Sequence, residues 1–385
     1  MVRATIALIV GLAPYLAAQQ VTSIFQVLPT PNPQRVFDNY LFAASASSPG
    51  DIWAVGTTAI HYDGTSWTGF SLPGINGEIG HQMYAAAAIS PADAWAVGTY
   101  ATSDSSNGSI LHWNGTSWSP YSNPAAAGRP LWSIAAISSN DIWAGGCIPE
   151  FYEHFDGTAW SYVAPGGAGS PFAESCVTGL SALATNDVWS VGWIQYQANN
   201  PVTQIQHWNG TQWSVTTSPN VGTGPNQLYG VVALSDTDVW AVGYSTPKPD
   251  TGYEYPDRTL IEHWDGTSWS AVTSPNVDYG SQARDNVLQG IVALSANDIY
   301  AFGWYSANPS GESGDIFSLV MHWDGTSWTV IPSPDPDRDP ALINDPLYGG
   351  VVTAPGTFYL VGFQDLDLSK GQPPSGTFVL YTTGQ

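Results

Sequence analysis

The sequence predicts an all-β fold, a seven-bladed β-propeller with four-stranded blades, from two repeated motifs and from the way its two ends complement each other. Repeats of forty to sixty residues are the signature of stacked copies of one supersecondary unit. The first motif, typified by Asp-Val-Trp-Ala-Val-Gly, occurs seven times, starting at Asp51, Asp93, Asp141, Asp187, Asp238, Asp298 and Thr357. The second, His-aromatic-Asp/Asn-Gly-Thr-x-Trp, occurs six times, starting at His61, His112, His154, His207, His263 and His322.

Each unit contains four short strands, as the copy around Asp238 illustrates. Strands A to D are predicted at 228–235, 239–243, 260–264 and 269–273, all rich in the β-branched and aromatic residues that suit a pleated sheet. Asp265-Gly266 signals a two-residue turn between C and D, because glycine accepts positive φ. Four antiparallel strands repeated radially make a β-propeller, whose blades leave only short, protected edges.

The chain ends hold complementary parts of one blade. The seventh unit has strands A, B and C but stops at Gln385 without a strand D. A strand D sequence occurs instead at the N-terminus, as Phe25-Gln-Val-Leu-Pro-Thr-Pro-Asn-Pro33. We therefore expect residues 24–30 to form the outermost strand of blade seven. The first motifs lie between 42 and 60 residues apart without a linker, so residues 19–385 are predicted to be one propeller domain.

Residues 1–18 are predicted to be a secretory signal peptide. Arg3 gives a positive start, Ala4 to Leu16 is mostly apolar, and Ala17-Ala18 supplies small residues for cleavage. The expected location is therefore extracellular or periplasmic, where a disulfide is permitted. Cys147 follows strand B of blade three and Cys176 precedes strand A of blade four, at the same side of the ring. This placement predicts a bond between them; two buried thiols are the alternative.

Charge narrows the choice of partners. The net charge is −23, and only 10% of the residues are charged. Nucleic acid is excluded as an expected partner, because phosphate binding requires a basic patch. Insertion into a membrane is not predicted either, and the oligomeric state is left open.

The face of the ring that carries the B–C and D–A loops is predicted to bind the ligand. Its loops are long and irregular, whereas the A–B and C–D turns of the other face are short and uniform, and loops on a rigid scaffold carry function. The predicted ligand-binding residues are Trp193, Tyr244, Trp304, Phe363, Arg258 and Arg284. The aromatic side chains could stack on sugar rings, and the arginines could bind an acidic glycan. The alternatives are packing between blades and salt bridges within acidic loops.

A second aromatic row lies near the start of strand A, and packing between blades is the favoured interpretation for it. Its members are Phe42, Tyr84, Trp132, Tyr229 and Tyr348.

The repeated histidines are predicted to be structural, each bonded within its blade to the aspartate that opens strand B. No cofactor is predicted, although calcium is a weaker alternative where oxygen donors alternate. The two segments that offer such donors are Asp335-x-Asp337-x-Asp339 and Asp365-x-Asp367-x-Ser369.

Catalysis receives little support from motifs. The chain has no Gly-x-Ser-x-Gly and no His-Glu-x-x-His. A carboxylate pair for glycoside hydrolysis needs no local motif and stays open. A proton-abstracting set of His81, Tyr84 and an arginine is the other enzymatic alternative.

The two motifs resemble those of bacterial secreted tandem-repeat propellers, over nearly the whole chain after residue 18. The Asp-Gly-Thr-x-Trp turn also resembles the Asp-box of sialidase-type and lectin propellers, which implies glycan binding. Histidine replaces the serine of the Asp-box, and a sialidase arginine triad has no matching positions. The predicted function is a secreted module that binds a glycan or cell-envelope polymer. A protein-interaction scaffold and a glycan-cleaving hydrolase or lyase are the alternatives.

Overall fold

The structure is a computed structural model that describes residues 24–34, 38–73, 78–102, 106–123, 129–167, 173–197, 199–247, 256–278, 284–306, 316–334, 344–366, 373 and 375–382. These residues form strands, turns and loops. Within those ranges no helix is long and apolar enough to cross a membrane. The predicted signal peptide lies outside them.

The strands form seven four-stranded antiparallel sheets, which confirms the seven-bladed propeller. Blades one to three comprise β2 (Leu41–Ser48), β3 (Asp51–Gly56), β4 (Ala59–Tyr62) and β5 (Trp67–Phe70); β6 (Glu78–Ser90), β7 (Asp93–Thr102), β8 (Ser106–Trp113) and β9 (Trp118–Pro120); β10 (Leu131–Ser138), β11 (Asp141–Gly146), β12 (Phe151–Phe155) and β13 (Trp160–Val163). Blades four to six comprise β14 (Ala173–Ala184), β15 (Asp187–Tyr196), β16 (Val202–Trp208) and β17 (Trp213–Thr216); β18 (Asn226–Ser235), β19 (Asp238–Ser245), β20 (Arg258–Trp264) and β21 (Trp269–Ala271); β22 (Asn286–Ser295), β23 (Asp298–Ser306), β24 (Ile316–Trp323) and β25 (Trp328–Ile331). Blade seven comprises β26 (Leu347–Ala354), β27 (Thr357–Asp365), β28 (Ser375–Thr382) and β1 (Phe25–Val27).

The ring closes where the sequence predicts. Strand β1 pairs antiparallel with β28, with Val27 opposite Leu380, and the amide of Leu28 donates to the carbonyl of Val379 at 2.9 Å. The following Thr-Pro-Asn segment extends the closure, because the amide of Thr377 donates to Asn32 Oδ1 at 2.8 Å. In blade five the Ser274-Pro-Asn276 segment binds Thr259 in the same way, at 2.9 Å. The N-terminal segment thus takes the place of an ordinary strand D.

The motif residues form hydrogen bonds within each blade and ring contacts between neighbouring blades. In blade five, His263 Nε2 lies 2.9 Å from Asp238 Oδ1, and the same carboxylate oxygen accepts Trp240 Nε1 at 2.8 Å. The six His–Asp pairs have separations between 2.6 and 2.9 Å, which confirms the structural role predicted for the histidines. Each strand B aromatic ring also packs against the next blade, as Trp240 does against Trp323 at 5.1 Å between ring centroids.

The loop between strands C and D is longer than the predicted two-residue turn. It spans four residues, as at 63–66, where the amide of Asp63 donates to the carbonyl of Ser66. The carboxylate of Asp63 accepts the amides of Thr65 and Ser66, both at 2.9 Å, and these bonds lengthen the loop. Gly64 has a φ of 90°, the conformation for which glycine is needed.

The predicted disulfide is present. It joins Cys147 to Cys176, and therefore blade three to blade four, at the face of the B–C and D–A loops. Beside it, the amide of Ile148 donates to the carbonyl of Ser175 at 2.9 Å and the amide of Glu150 donates to Ser175 Oγ at 3.0 Å. The disulfide and these two hydrogen bonds together connect blade three to blade four at this face.

Candidate functional site: an aromatic channel mouth

A β-bulge recurs in strand A of every blade. In blade five, Leu228 lies opposite Gly243 and Gly230 lies opposite Val242, so Tyr229 is left without a partner on β19. The equivalent residues of all seven blades line one cavity of about 430 Å³ on the propeller axis. They are Phe42, Tyr84, Trp132, Thr178, Tyr229, Gln289 and Tyr348. Because a bulge redirects the extra side chain, this feature turns one residue per blade toward the axis. We call this ring of seven residues the channel mouth.

The final glycine of the strand B motif is needed for this backbone arrangement. A Cβ built on Gly243 would lie 2.0 Å from the carbonyl oxygen of Gln227, in the residue before Leu228. At Gly56 the same contact, to the carbonyl of Tyr40, would be 1.9 Å. Strand A therefore approaches strand B so closely, just before the bulge, that no side chain fits.

Aromatic rings form a continuous arc around part of the channel mouth. Tyr84 stacks on Trp132 with centroids 4.2 Å apart and planes 1° from parallel. Phe42 continues the arc, 5.7 Å from Tyr84 on one side and 5.4 Å from Tyr348 on the other. Trp132 is 37% exposed, so its ring is open to a ligand. The favoured interpretation of this row as packing between blades is incomplete, since the rings contact one another and also line the cavity.

Polar groups accompany the rings. The hydroxyl of Tyr84 donates to Gln82 Oε1 at 2.6 Å, and that of Tyr229 donates to Gln227 Oε1 at 3.0 Å. Burial raises the pKa of Tyr229 well above its ordinary value, and burial together with Asp257 raises the pKa of Tyr244 to about 12. Tyr229 and Tyr244 are therefore neutral hydrogen-bonding groups at physiological pH. The mouth can offer ring faces, hydroxyls and amides.

The four predicted aromatic ligand residues divide into two pairs. Tyr244 and Phe363 extend the mouth, because Tyr244 lies 5.8 Å from Tyr229 and Phe363 lies 5.9 Å from Tyr348. Trp193 and Trp304 are half-buried on β15 and β23 and, like the first pair, lie one residue beyond the strand B glycine of their blades. All four remain predicted site residues. The bulge residues Thr178 and Gln289 were missed, and only alignment of the strand A register among blades would have found them.

The two predicted arginines lie together. Arg258 binds Asp278 with both arms of its guanidinium, Nη1 to Oδ1 at 2.7 Å and Nη2 to Oδ2 at 2.9 Å. Its Nη1 also approaches the carbonyl of Arg284 at 3.4 Å, and the amide of Arg284 donates to Asp278 Oδ1. The fork that would bind a ligand carboxylate is thus already occupied at Arg258.

The weaker predictions concern a metal and catalysis. Asp365 ends β27, whereas Asp335, Asp337, Asp339, Asp367 and Ser369 lie outside the described residues. In the described part of the chain, no three His, Cys, Asp or Glu side chains are grouped to hold a metal ion. His81 is buried, with Nδ1 3.5 Å from Ser109 Oγ, and Tyr84 instead stacks in the mouth.

Solved structures share this architecture at low sequence identity. The structure titled "YCF48 bound to D1 peptide" is 13% identical, with a TM-score of 0.56 over 94% of this chain and 96% of that one. YCF48 from Cyanidioschyzon merolae is 11% identical, with a TM-score of 0.53 over 93% and 98%. U3-55K is 8% identical, with a TM-score of 0.58 over 93% and 98%. No family model and no curated protein matches the chain. At these identities the likeness shows the fold alone.

Proposed function

We propose that this protein is an exported binding module that takes a neutral sugar unit of a glycan or envelope polymer at the channel mouth. The observation that supports the proposal best is the arc of Trp132, Tyr84, Phe42 and Tyr348 around an open cavity. Aromatic faces present large apolar area at low entropic cost, and the adjoining hydroxyls and amides can bond sugar hydroxyls. A neutral ligand is favoured over an acidic one because Arg258 is already paired with Asp278.

A peptide segment of a protein partner is the second candidate. Aromatic-lined grooves also bind proline-rich segments, and one structure with this fold is titled as bound to the D1 peptide. Under this alternative the channel mouth would hold an apolar or proline side chain in place of a sugar.

The test compares two double variants for binding to a panel of neutral oligosaccharides and proline-rich peptides. Tyr84→Ala with Trp132→Ala removes the stacked pair of the mouth, and we expect affinity to fall at least about tenfold. Trp193→Ala with Trp304→Ala removes the second predicted pair of rings and tests whether the ligand also contacts them. Tyr162→Ala, an exposed ring that is 52% accessible on β13, is the control. Undiminished binding by the mouth variant would exclude the mouth, and binding of peptides alone would replace the sugar with a protein partner.

A further inference from the structure

The junction between blade seven and blade one differs from the other blade junctions in its aromatic residues. We call this junction the seam. In blades one to five a strand B tryptophan stacks on a strand C histidine, as Trp53 does on His61 at 4.4 Å, and in blade six Tyr300 takes the tryptophan's place on His322 at 4.5 Å. At the seam both positions are tyrosine, because Tyr359 lies opposite Tyr381 in the β27–β28 register. The aspartate that would bind the histidine is Thr357.

These replacements leave the rings of the seam farther apart. Tyr359 lies 6.4 Å from Tyr62 and 6.1 Å from Trp67 of the next blade. The corresponding separations from Trp53 to Trp113 and Trp118 are 4.7 and 5.0 Å. In the other four junctions with a strand B tryptophan they lie between 4.7 and 5.8 Å.

Burial of the outermost tryptophans agrees with these distances. Trp118, Trp160, Trp213, Trp269 and Trp328 are all buried, whereas Trp67, their equivalent in blade one, is only half-buried. The space that opens beside it is a groove of about 640 Å³, within the range of pockets that hold small ligands. Its other wall is the closing segment, Leu28-Pro-Thr-Pro31.

The described residues that line the groove are all uncharged. They are Leu28, Pro29, Thr30, Pro31, Tyr62, Thr65, Ser66, Trp67, Tyr359 and Tyr381. In a chain of net charge −23 this neutrality disfavours both a cationic and an anionic ligand. Ring faces of Trp67 and three tyrosines are combined with hydroxyls, which can each accept or donate. We propose that the seam groove is a second binding site, for a neutral sugar unit that stacks between these rings.

The site is independent of the channel mouth. The groove includes Thr65 and Ser66 of the C–D loop, which belongs to the face of the short turns. The mouth residues lie on strand A, at the axis of the ring. One chain therefore has two sites, and a long polymer that reaches both would bind with added avidity.

The test uses the repeat itself to close the groove. Tyr359→Trp with Tyr381→His introduces the tryptophan–histidine pair of blades one to five and fills the space. Titration calorimetry of the full chain with neutral gluco-, xylo-, manno- and N-acetylglucosamine oligosaccharides measures affinity and stoichiometry. We expect two sites in the wild type, one in this variant and one in Tyr84→Ala with Trp132→Ala. If the mouth variant loses one site and keeps the seam site, the two sites are independent, and each proposal can fail without the other.

A second variant tests the proposal independently if the first does not fold. Tyr62→Ala removes one ring without filling the groove, and we expect seam affinity to fall at least about tenfold. Tyr162→Ala is again the control with unchanged binding. The seam proposal is overturned if no oligosaccharide binds outside the mouth, if binding survives both seam variants, or if a proline-rich peptide binds the groove and sugars do not.

Discussion

Glu262 is a carboxylic acid on β20 that is fully buried against blade four. Ser218 Oγ donates to one of its oxygens at 2.8 Å, and the other oxygen has no hydrogen-bond partner among the described residues. Burial raises its pKa to about 8, and burial likewise raises the pKa of Glu150 and of Glu153 to about 7. When the pH is above about 4.5, their ordinary pKa, these glutamates lose their protons in the unfolded chain but keep them in the folded protein. The free energy of unfolding therefore falls as pH rises from about 5 to 8.

Glu262→Gln should remove part of this pH dependence. Glutamine has the same shape, and its carbonyl oxygen can still accept Ser218, so we expect a gain on the order of 2 kcal/mol at pH 8 and little change at pH 5. Urea denaturation at the two pH values measures it. The exposed residue Asp236 supplies the control, Asp236→Asn, with an unchanged profile. Equal free energies of unfolding for Glu262→Gln and wild type at pH 8 would contradict a raised pKa of Glu262 in the folded protein.

The disulfide joins blade three to blade four, and side-chain hydrogen bonds also connect these two blades at the same face. Glu150 accepts Gln204 at 2.8 Å and Gln206 at 3.2 Å across the junction. The two cysteines are 29 residues apart, so chain entropy predicts a stabilisation of about 3.6 kcal/mol. Cys147→Ser with Cys176→Ser should lower the melting temperature, and a reductant should lower that of the wild type to a similar value. An unchanged melting temperature after full reduction would mean that the hydrogen bonds alone hold the junction.

The strands that carry motifs could be predicted from sequence, and the bulges between them could not. Strand B repeats the same apolar run and ends in glycine, so its position is visible in each copy, as at Asp238. The orphan segment at Phe25 predicted the ring closure because its strand D pattern has no strand C before it. The bulge at Tyr229 depends on how strands A and B approach each other, which no periodicity in strand A alone reports. For that reason the sequence predicts packing between blades for the aromatic row and does not indicate its place around the channel.

The seam illustrates the same limit. Tyr359 and Tyr381 could be aligned with Trp53 and His61, but the alignment does not say whether smaller rings close up or leave a gap. The outcome depends on the neighbouring segment, Leu28 to Pro31, which comes from the other end of the chain. Differences between repeats were therefore more informative about sites than the repeats themselves.

At the scale of the whole molecule, the ring depends on a closing strand of three residues. Phe25 is 4% exposed and packs edge-on against Phe358 at 5.8 Å, while Thr30 and Asn32 bind Thr377. Loss of a buried phenylalanine alone costs about 3 kcal/mol. Without this strand, β28 would become an unpaired edge, the kind of edge that recruits other strands.

Removal of residues 1–33 should therefore lower the melting temperature and cause concentration-dependent association, whereas removal of residues 1–23 should do neither, because it leaves β1 intact. Thermal unfolding and light scattering measure the two effects. A synthetic peptide of residues 24–34 should restore both properties to the shorter chain, since a ligand that binds only the folded form stabilises it. A peptide with Phe25→Ala and Asn32→Ala should restore neither. If the chain without residues 1–33 melts like the wild type and shows no added association, blade seven closes the ring with three strands alone.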